Sequence, residues 1–307
     1  PLAGLLNGVG YVFIARLDPD LAALQAMWTA LGVGAFVATL ALVRRARDIE
    51  RLRYTFALIG IGLLLMPLIP GVGQNINGAR LWVKLGPLTF QPGELAKIAL
   101  AVFFASYLVE KQPLLAMGTQ KVAGIWVPNV RHFGPIVLAW VFSLVVMFWE
   151  KDLGSSLLFF ALFITLLWVA TARNIYLGIG AAMFAAGAAI AYSTFDHVQT
   201  RISILTDPWS VASGSGYQTV QAMFAFAAGG LTGTNIGQGN PQRIPAVSTD
   251  FIFAAIGEEL GLMGAVAVLM AFLLIVGAGL RIAMRVESPF EKLLAAGLTA
   301  IIGLQTF

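Results

Sequence analysis

The residues of this sequence that could do chemistry are few, and they gather in three places. Glu258 and Glu259 stand side by side in Gly257-Glu258-Glu259-Leu260-Gly261. If a helix begins at Phe251, Glu258 lies roughly 10 Å along it at 1.5 Å per residue. Adjacent residues on a helix point about 100° apart, so the two carboxylates cannot face one partner equally. Gly257 and Gly261 form a small-xxx-small pair that allows another helix to approach closely. A buried carboxylate pair at such a crossing either belongs to a functional site or makes interhelical hydrogen bonds.

The second group is Asn77-Gly78-Ala79-Arg80-Leu81-Trp82, followed by Gln91-Pro92-Gly93-Glu94-Leu95-Ala96-Lys97. Pro92 and Gly93 punctuate the entry to a helix, and Glu94 near its start suits the positive end of the helix dipole. Glu94 and Lys97 are spaced i, i+3, so they share a face and can pair. An ionised residue within a membrane span costs about 2.5–3.5 kcal/mol on insertion scales, which turns both toward the protein interior. Two roles follow, a structural ion pair or direct contact with substrate. The third group is Glu150-Lys151-Asp152-Leu153-Gly154-Ser155-Ser156. Asp152 can cap the following helix, or it can act as a general base at the mouth of an intramembrane cavity. Spacing does not decide between them.

Other signals exclude more than they assign. Cys is absent, which removes disulfides, thiolate metal sites and cysteine nucleophiles. His132 and His197 lie far apart and show no metal-ligand spacing, so no metal site is read from the residues. Gly233-Thr234-Asn235-Ile236-Gly237-Gln238-Gly239 resembles a phosphate cradle but follows no strand; its amides can still hold an anion such as pyrophosphate.

The elements that must position these groups are membrane helices. Of 307 residues, 59% are hydrophobic and 11% charged, against about a quarter charged in soluble domains. The apolar residues arrive in long blocks separated by short polar stretches, the mark of several membrane spans, each needing roughly 20 residues; several blocks are shorter, so their ends are expected to extend into the flanking residues. Nine such segments are expected: 2–15, 24–43, 55–69, 95–109, 134–149, 155–171, 175–192, 251–280 and one starting near Leu293. The class is all-α, a polytopic helical membrane protein forming a single integral membrane domain over 1–307. The chain starts at Pro1 and ends at Phe307 inside apolar runs, so it is expected to be a piece of a longer protein. Alternate connections hold Arg44, Arg45, Arg47, Arg51 and Arg53; Lys111, Lys121 and Arg131; Arg173; and Arg281, Arg285 and Lys292, twelve of the 19 basic residues. The positive-inside rule makes these cytoplasmic, which also explains the net charge of +4 without nucleic acid. The complementary loops then face outward, including a large one over 193–250 that is rich in Gly and low in charge. Its apolar stretch, Val220 to Ala228, argues against disorder.

Taken in order, these motifs resemble the SEDS family (RodA/FtsW/SpoVE). The match rests on the Asn77–Trp82, Gln91–Lys97 and Lys151–Ser156 runs, Gly216-Tyr217-Gln218 with Gln221-Ala222, Gly237-Gln238-Gly239, and Thr249-Asp250-Phe251 through Gly261. It is most similar to actinobacterial members, where Gly stands at position 93 in place of Ser. The resemblance implies about ten membrane helices and an inverting peptidoglycan glycosyltransferase that polymerises lipid II on the outer face of the bacterial cytoplasmic membrane, for elongation or division. It implies Asp152 as the catalytic base. Arg80, Trp82, Glu94, Lys97, Arg201, Gln218, Glu258 and Glu259 become substrate-binding candidates. The leaving pyrophosphate would be met by Arg80, Lys97, Arg201 or a divalent cation, Mg or Mn, and the partner is a class B penicillin-binding protein. The family's closing Pro-Leu-Thr-Gly and Pro-Phe-x-Ser-Tyr-Gly-Gly-Ser patterns would lie beyond Phe307. A lipid II flippase or a non-catalytic scaffold for a transpeptidase would use the same residues differently.

The orientation can be checked directly on a background free of Cys. A single cysteine at Ser215 is expected to react with an impermeant maleimide in intact cells, and one at Arg47 only after permeabilisation; the reverse pattern would invert the topology.

Overall fold

The computed structural model describes residues 1–43, 45–76, 79–85, 88–116, 120–122, 125–127, 137–138, 141–142, 145–146 and 153–306. Most of the fifth expected span, Asn77-Gly78, Gly86-Pro87 and the turn Glu150-Lys151-Asp152 lie outside the described residues. Five described helices are long and apolar enough to cross a membrane: Pro19–Leu42, Pro92–Leu115, Gly154–Thr171, Ile175–Thr194 and Ile252–Arg285. The chain divides into two compact units, Pro1–Leu42 with Ala188–Ile275, and Val43–Gly187 with Val276–Phe307.

The first unit begins with a helical hairpin, α1 (Leu2–Leu17) and α2 (Pro19–Leu42). Asp18 makes the corner: its carboxylate accepts the N–H groups of Asp20 and Leu21, both at 3.2 Å, satisfying donors that a helix start leaves open. Asn7 on α1 accepts from Thr29 (3.2 Å) and Gln25 (3.4 Å) on α2, the kind of polar contact that joins helices where burial of apolar surface gives no driving force.

The second unit contains α3 (Ala46–Arg51), α4 (Arg53–Leu65), a 3-10 turn (Met66–Leu68), and a three-stranded antiparallel sheet of β1 (Gly73–Ile76), β2 (Ala79–Leu85) and β3 (Leu88–Phe90). Next come α5 (Pro92–Ala116), the hairpin β4 (Gln120–Val122) and β5 (Ile125–Val127), and α6 (Leu153–Thr171). α7 (Ile175–Thr194) follows, its last turns belonging to the first unit, and α11 (Pro289–Thr306) closes the second. The sheets are additions to an otherwise helical fold that the apolar-run reading did not foresee. In β2 the alternation Arg80, Trp82, Lys84 against Leu81, Val83 gives one polar face and one inward face, and Val83 is fully buried.

α5 is the axis of this unit and packs against α4, α6 and α11. Its Ala96, Ala101 and Ala105 are fully buried, and such small side chains let backbones come close enough for dispersion to hold them. Phe104 meets Phe163 edge-on at 5.1 Å, and Tyr176 donates to the Leu115 carbonyl at 2.8 Å.

The first unit continues with α8 (Asp196–Thr206), α9 (Tyr217–Gly229), a 3-10 turn (Pro241–Arg243) and α10 (Ile252–Arg285), whose last turns belong to the second unit. The expectation of one unbroken span over 251–280 needs correction. Gly261 sits at φ 67°, ψ −170°, so α10 is two helices meeting at a kink. That conformation is essentially reserved for glycine. The backbone groups released by the break are taken up by the connection after α9. Thr234 and Asn235 donate N–H groups to the carbonyls of Glu258 (3.0 Å) and Glu259 (3.1 Å), while Leu262 and Met263 donate to Gly230 (2.9 Å) and Leu231 (3.2 Å). Gly257 and Gly261 do permit close approach, though not as one continuous helical face. Gly257 receives the Phe226 ring, and a Cβ on Gly261 would overlap the backbone of Leu231 and Gly233.

Gly261→Ala is therefore expected to destabilise the protein by roughly 2–4 kcal/mol through strain and overlap together. Gly277→Ala, in the same helix with open space around it, should be neutral or gain up to about 1 kcal/mol. Equal behaviour of the two in denaturation in detergent micelles would contradict the kink.

Candidate active site

Two constellations emerge, one in each unit. In the second unit, α5 begins at Pro92, whose missing N–H costs nothing at a helix start. Glu94 follows in the first turn and Lys97 one turn on. The expected pair forms: Lys97 Nζ donates to Glu94 Oε1 at 2.6 Å. Burial is unequal, with the Lys97 side chain 5% exposed and that of Glu94 51%. Gln305 of α11 donates to the other carboxylate oxygen at 3.3 Å. These groups line a cavity of about 460 Å³ together with Gln91 and with Gly154 and Ser155 at the start of α6. The result is a buried ammonium behind a half-exposed carboxylate, in a pocket whose apolar wall is Leu157, Leu158, Ala161 and Leu304. Such a site can compensate negative charge in a low-dielectric setting, where a fixed cation acts more strongly than in water.

Arg80 and Trp82 share the polar face of β2, Arg80 exposed and Trp82 half-buried; neither lines this cavity. Asp152, the expected base, lies outside the described residues. It precedes by two positions Gly154, which does line the cavity.

In the first unit the carboxylate pair at the end of the first half of α10 is buried, Glu258 at 6% and Glu259 at 0% exposure. As expected from the helix geometry, they take different partners. Glu259 forms an ion pair with Arg16 at the end of α1 and accepts the Gly237 N–H at 3.3 Å. Glu258 accepts the Asn240 N–H at 2.7 Å. The Gly-rich turn over 233–239, read as a possible anion cradle, thus holds an anion of the protein's own. Gln218 is likewise engaged, donating to the Pro245 carbonyl at 2.6 Å. Arg201 is exposed on α8 with no ion partner among the described residues.

Three residues were not singled out by the sequence. Arg16 could have been suspected as one of the few basic residues on the outward side, at the end of an apolar segment. Gln305 carries no signal beyond being polar in an apolar run. Asp250 is exposed two residues before α10, and among the described residues no group bonds its carboxylate; its Thr-Asp-Phe setting was noted only as part of a longer motif.

This architecture defines a multi-pass membrane protein with a broken helix and a polar cavity among its spans. Residues 18–307 match the FtsW/RodA/SpoVE family, described as cell cycle protein. The peptidoglycan glycosyltransferase RodA of Mycobacterium tuberculosis is 41% identical over 318 residues, covering 100% of this chain and 68% of that protein. A probable peptidoglycan glycosyltransferase FtsW of Nitrosococcus halophilus is 35% identical over 264 residues, covering 84% of this chain and 65% of that protein. Among solved structures, a peptidoglycan synthase complex coordinating polymerization and crosslinking aligns with TM-score 0.73 and 27% identity over 99% of this chain and 82% of that one. The crystal structure of Thermus thermophilus RodA aligns with TM-score 0.60 and 24% identity, over 99% of this chain and 80% of that one. The chain belongs to the FtsW/RodA/SpoVE family.

The unequal burial of the α5 pair makes a quantitative prediction. Glu94→Gln strands a buried ammonium and should cost about 3 kcal/mol, whereas Lys97→Met leaves a carboxylate that water can reach and should cost roughly half that. The double variant should lose less than the sum of the singles. Additive losses in that cycle, read by thermal unfolding in detergent, would remove the pairing.

Proposed function

We propose that the protein is a peptidoglycan glycosyltransferase that polymerises lipid II on the outer face of the bacterial cytoplasmic membrane. The observation that carries this reading is the match along the whole chain to relatives bearing that activity in their names. The α5 cavity supports it physically. The acceptor sugar's 4-hydroxyl attacks the anomeric carbon of the lipid-linked donor, a carboxylate takes its proton, and the lipid pyrophosphate leaves with the bonding electrons. In this reading Lys97, buried and paired with Glu94, compensates that leaving charge. Arg80 in the second unit and Arg201 in the first are both exposed and stay candidates for such charge compensation, each within its own unit. A divalent cation, Mg or Mn, enters the proposal only as a companion of the pyrophosphate, since no three acidic or histidine side chains gather among the described residues. A class B penicillin-binding protein is the proposed partner, supported by the synthase complex to which the fold is similar.

Two carboxylates compete for the role of base. Asp152 is the one the family resemblance implies. Asp250, which belongs to the first unit, is a second candidate. Of the four described carboxylates within the family motifs, Glu94 is tied to Lys97, Glu259 to Arg16, and Glu258 is buried against Asn240. Only Asp250 keeps an exposed carboxylate without a partner. A general base contributes typically ~10²–10⁴-fold.

The test is polymerisation of purified lipid II in detergent by the full-length protein and by Asp152→Asn and Asp250→Asn. The true base is expected to lose about 10²–10⁴-fold of polymer with its melting temperature unchanged, because Asn can cap a helix about as well as Asp at position 152 and at position 250 replaces a carboxylate that bonds no described group. If both variants polymerise normally, neither carboxylate is the base. A folded wild-type protein that makes no polymer would overturn the glycosyltransferase reading.

A further inference from the structure

Glu258 is not fully accounted for by its place at the helix break. Of the two buried carboxylates of α10, Glu259 has an ion partner among the described residues, Arg16, and Glu258 has none. Glu258 offers Oε1 to the Asn240 N–H, while Oε2 has no partner among the described residues. The residue is 6% exposed, and it lines a cavity of about 290 Å³ within the first unit. On the wall of the same cavity is Arg243, which has no carboxylate partner among the described residues. Gln221, Gln238 and Asn240 supply amide groups, and Phe224 supplies an apolar side. Among the described residues, this cavity therefore presents one carboxylate and one guanidinium without ion partners, together with neutral hydrogen-bonding groups.

We propose that this cavity binds a zwitterion, a free amino acid or the end of a short peptide, with its ammonium at Glu258 and its carboxylate at Arg243. The charges select this class over the alternatives. A simple anion meets Glu258, and a metal ion meets the Arg243 guanidinium with a single carboxylate to hold it. A neutral polyol leaves a nearly buried carboxylate without a counter-charge, which is costly in a low-dielectric site. A zwitterion satisfies both ends at once, and charge-assisted hydrogen bonds are roughly twice as strong as neutral ones. The volume lies at the lower limit of ligand pockets, about 300 Å³, which fits one or two amino-acid residues. The lining of this cavity shares no residue with that of the α5 cavity, and the proposal holds whether or not the protein transfers glycan.

The experiment is calorimetric titration of the full-length protein in detergent with glycylglycine, N-acetyl-glycylglycine, glycylglycinamide and N-acetylglucosamine. Glycylglycine is expected to bind, and each analogue lacking one charge to bind at least tenfold more weakly. Arg243→Gln, a change at an exposed side chain, should make glycylglycine and glycylglycinamide bind alike while preserving the preference over the N-acetyl form. Glu258→Gln, which retains the acceptor for Asn240, should erase the preference for a free ammonium. No binding of glycylglycine to folded wild type overturns the proposal. So does equal binding of all three peptides, a preference for N-acetylglucosamine, or an Arg243→Gln variant that still discriminates against the amide.

Discussion

A backbone that breaks within an apolar helix must find partners for every N–H and C=O the break releases, because lipid offers none. At Gly261 the partners come from the connection after α9, which supplies Thr234 and Asn235 as donors and Gly230 and Leu231 as acceptors. That exchange brings two backbones together so closely that glycine is required on both sides. Gly233, at φ 81°, lies where a Cβ would strike the Glu259 carbonyl, and one on Gly261 would strike Gly233. The remaining features of this unit follow from the same contact. The turn over 233–240 is drawn against the end of the first half-helix, so its free amides meet Glu258 and Glu259 rather than water. Arg16 then supplies the charge that makes burial of Glu259 tolerable.

The second unit solves a related problem differently. Its polar residues are concentrated at the start of α5, where Glu94 benefits from the helix dipole and Lys97 from Glu94. The rest of α5 is small or apolar and serves as the surface on which α4, α6 and α11 pack. Rigid packing behind a polar helix start is what a charge-compensating site needs, since donors fixed in advance cost no reorganisation when charge develops. The same start places Gln91 and Glu94 at the cavity wall with the opening residues of α6.

How much of this could be read in the sequence depended on whether the signal was local. Span lengths, the Glu94–Lys97 pair and the differing directions of Glu258 and Glu259 all follow from helix period and composition. The break at Gly261 did not, because a glycine in an apolar run looks the same whether it packs against a neighbour or turns the chain. The sheet over 73–90 was hidden because its strands are short and flanked by glycines that also mark loops. Arg16 and Gln305 were invisible as partners, since each meets its carboxylate only through the tertiary fold, across more than 200 residues of sequence in both cases. That an amide of the Gly-rich turn meets Glu259 was hidden for the same reason.

The central physical claim is that the residues after α9 are locked by the broken helix rather than loosely draped. Amide hydrogen exchange on the full-length protein reads this directly. Peptides covering 229–240 are predicted to be protected to a degree comparable with α9, because Thr234 and Asn235 donate to helix carbonyls and Gly237 and Asn240 to buried carboxylates. Exchange over those residues at the rate of an unstructured peptide would contradict the account.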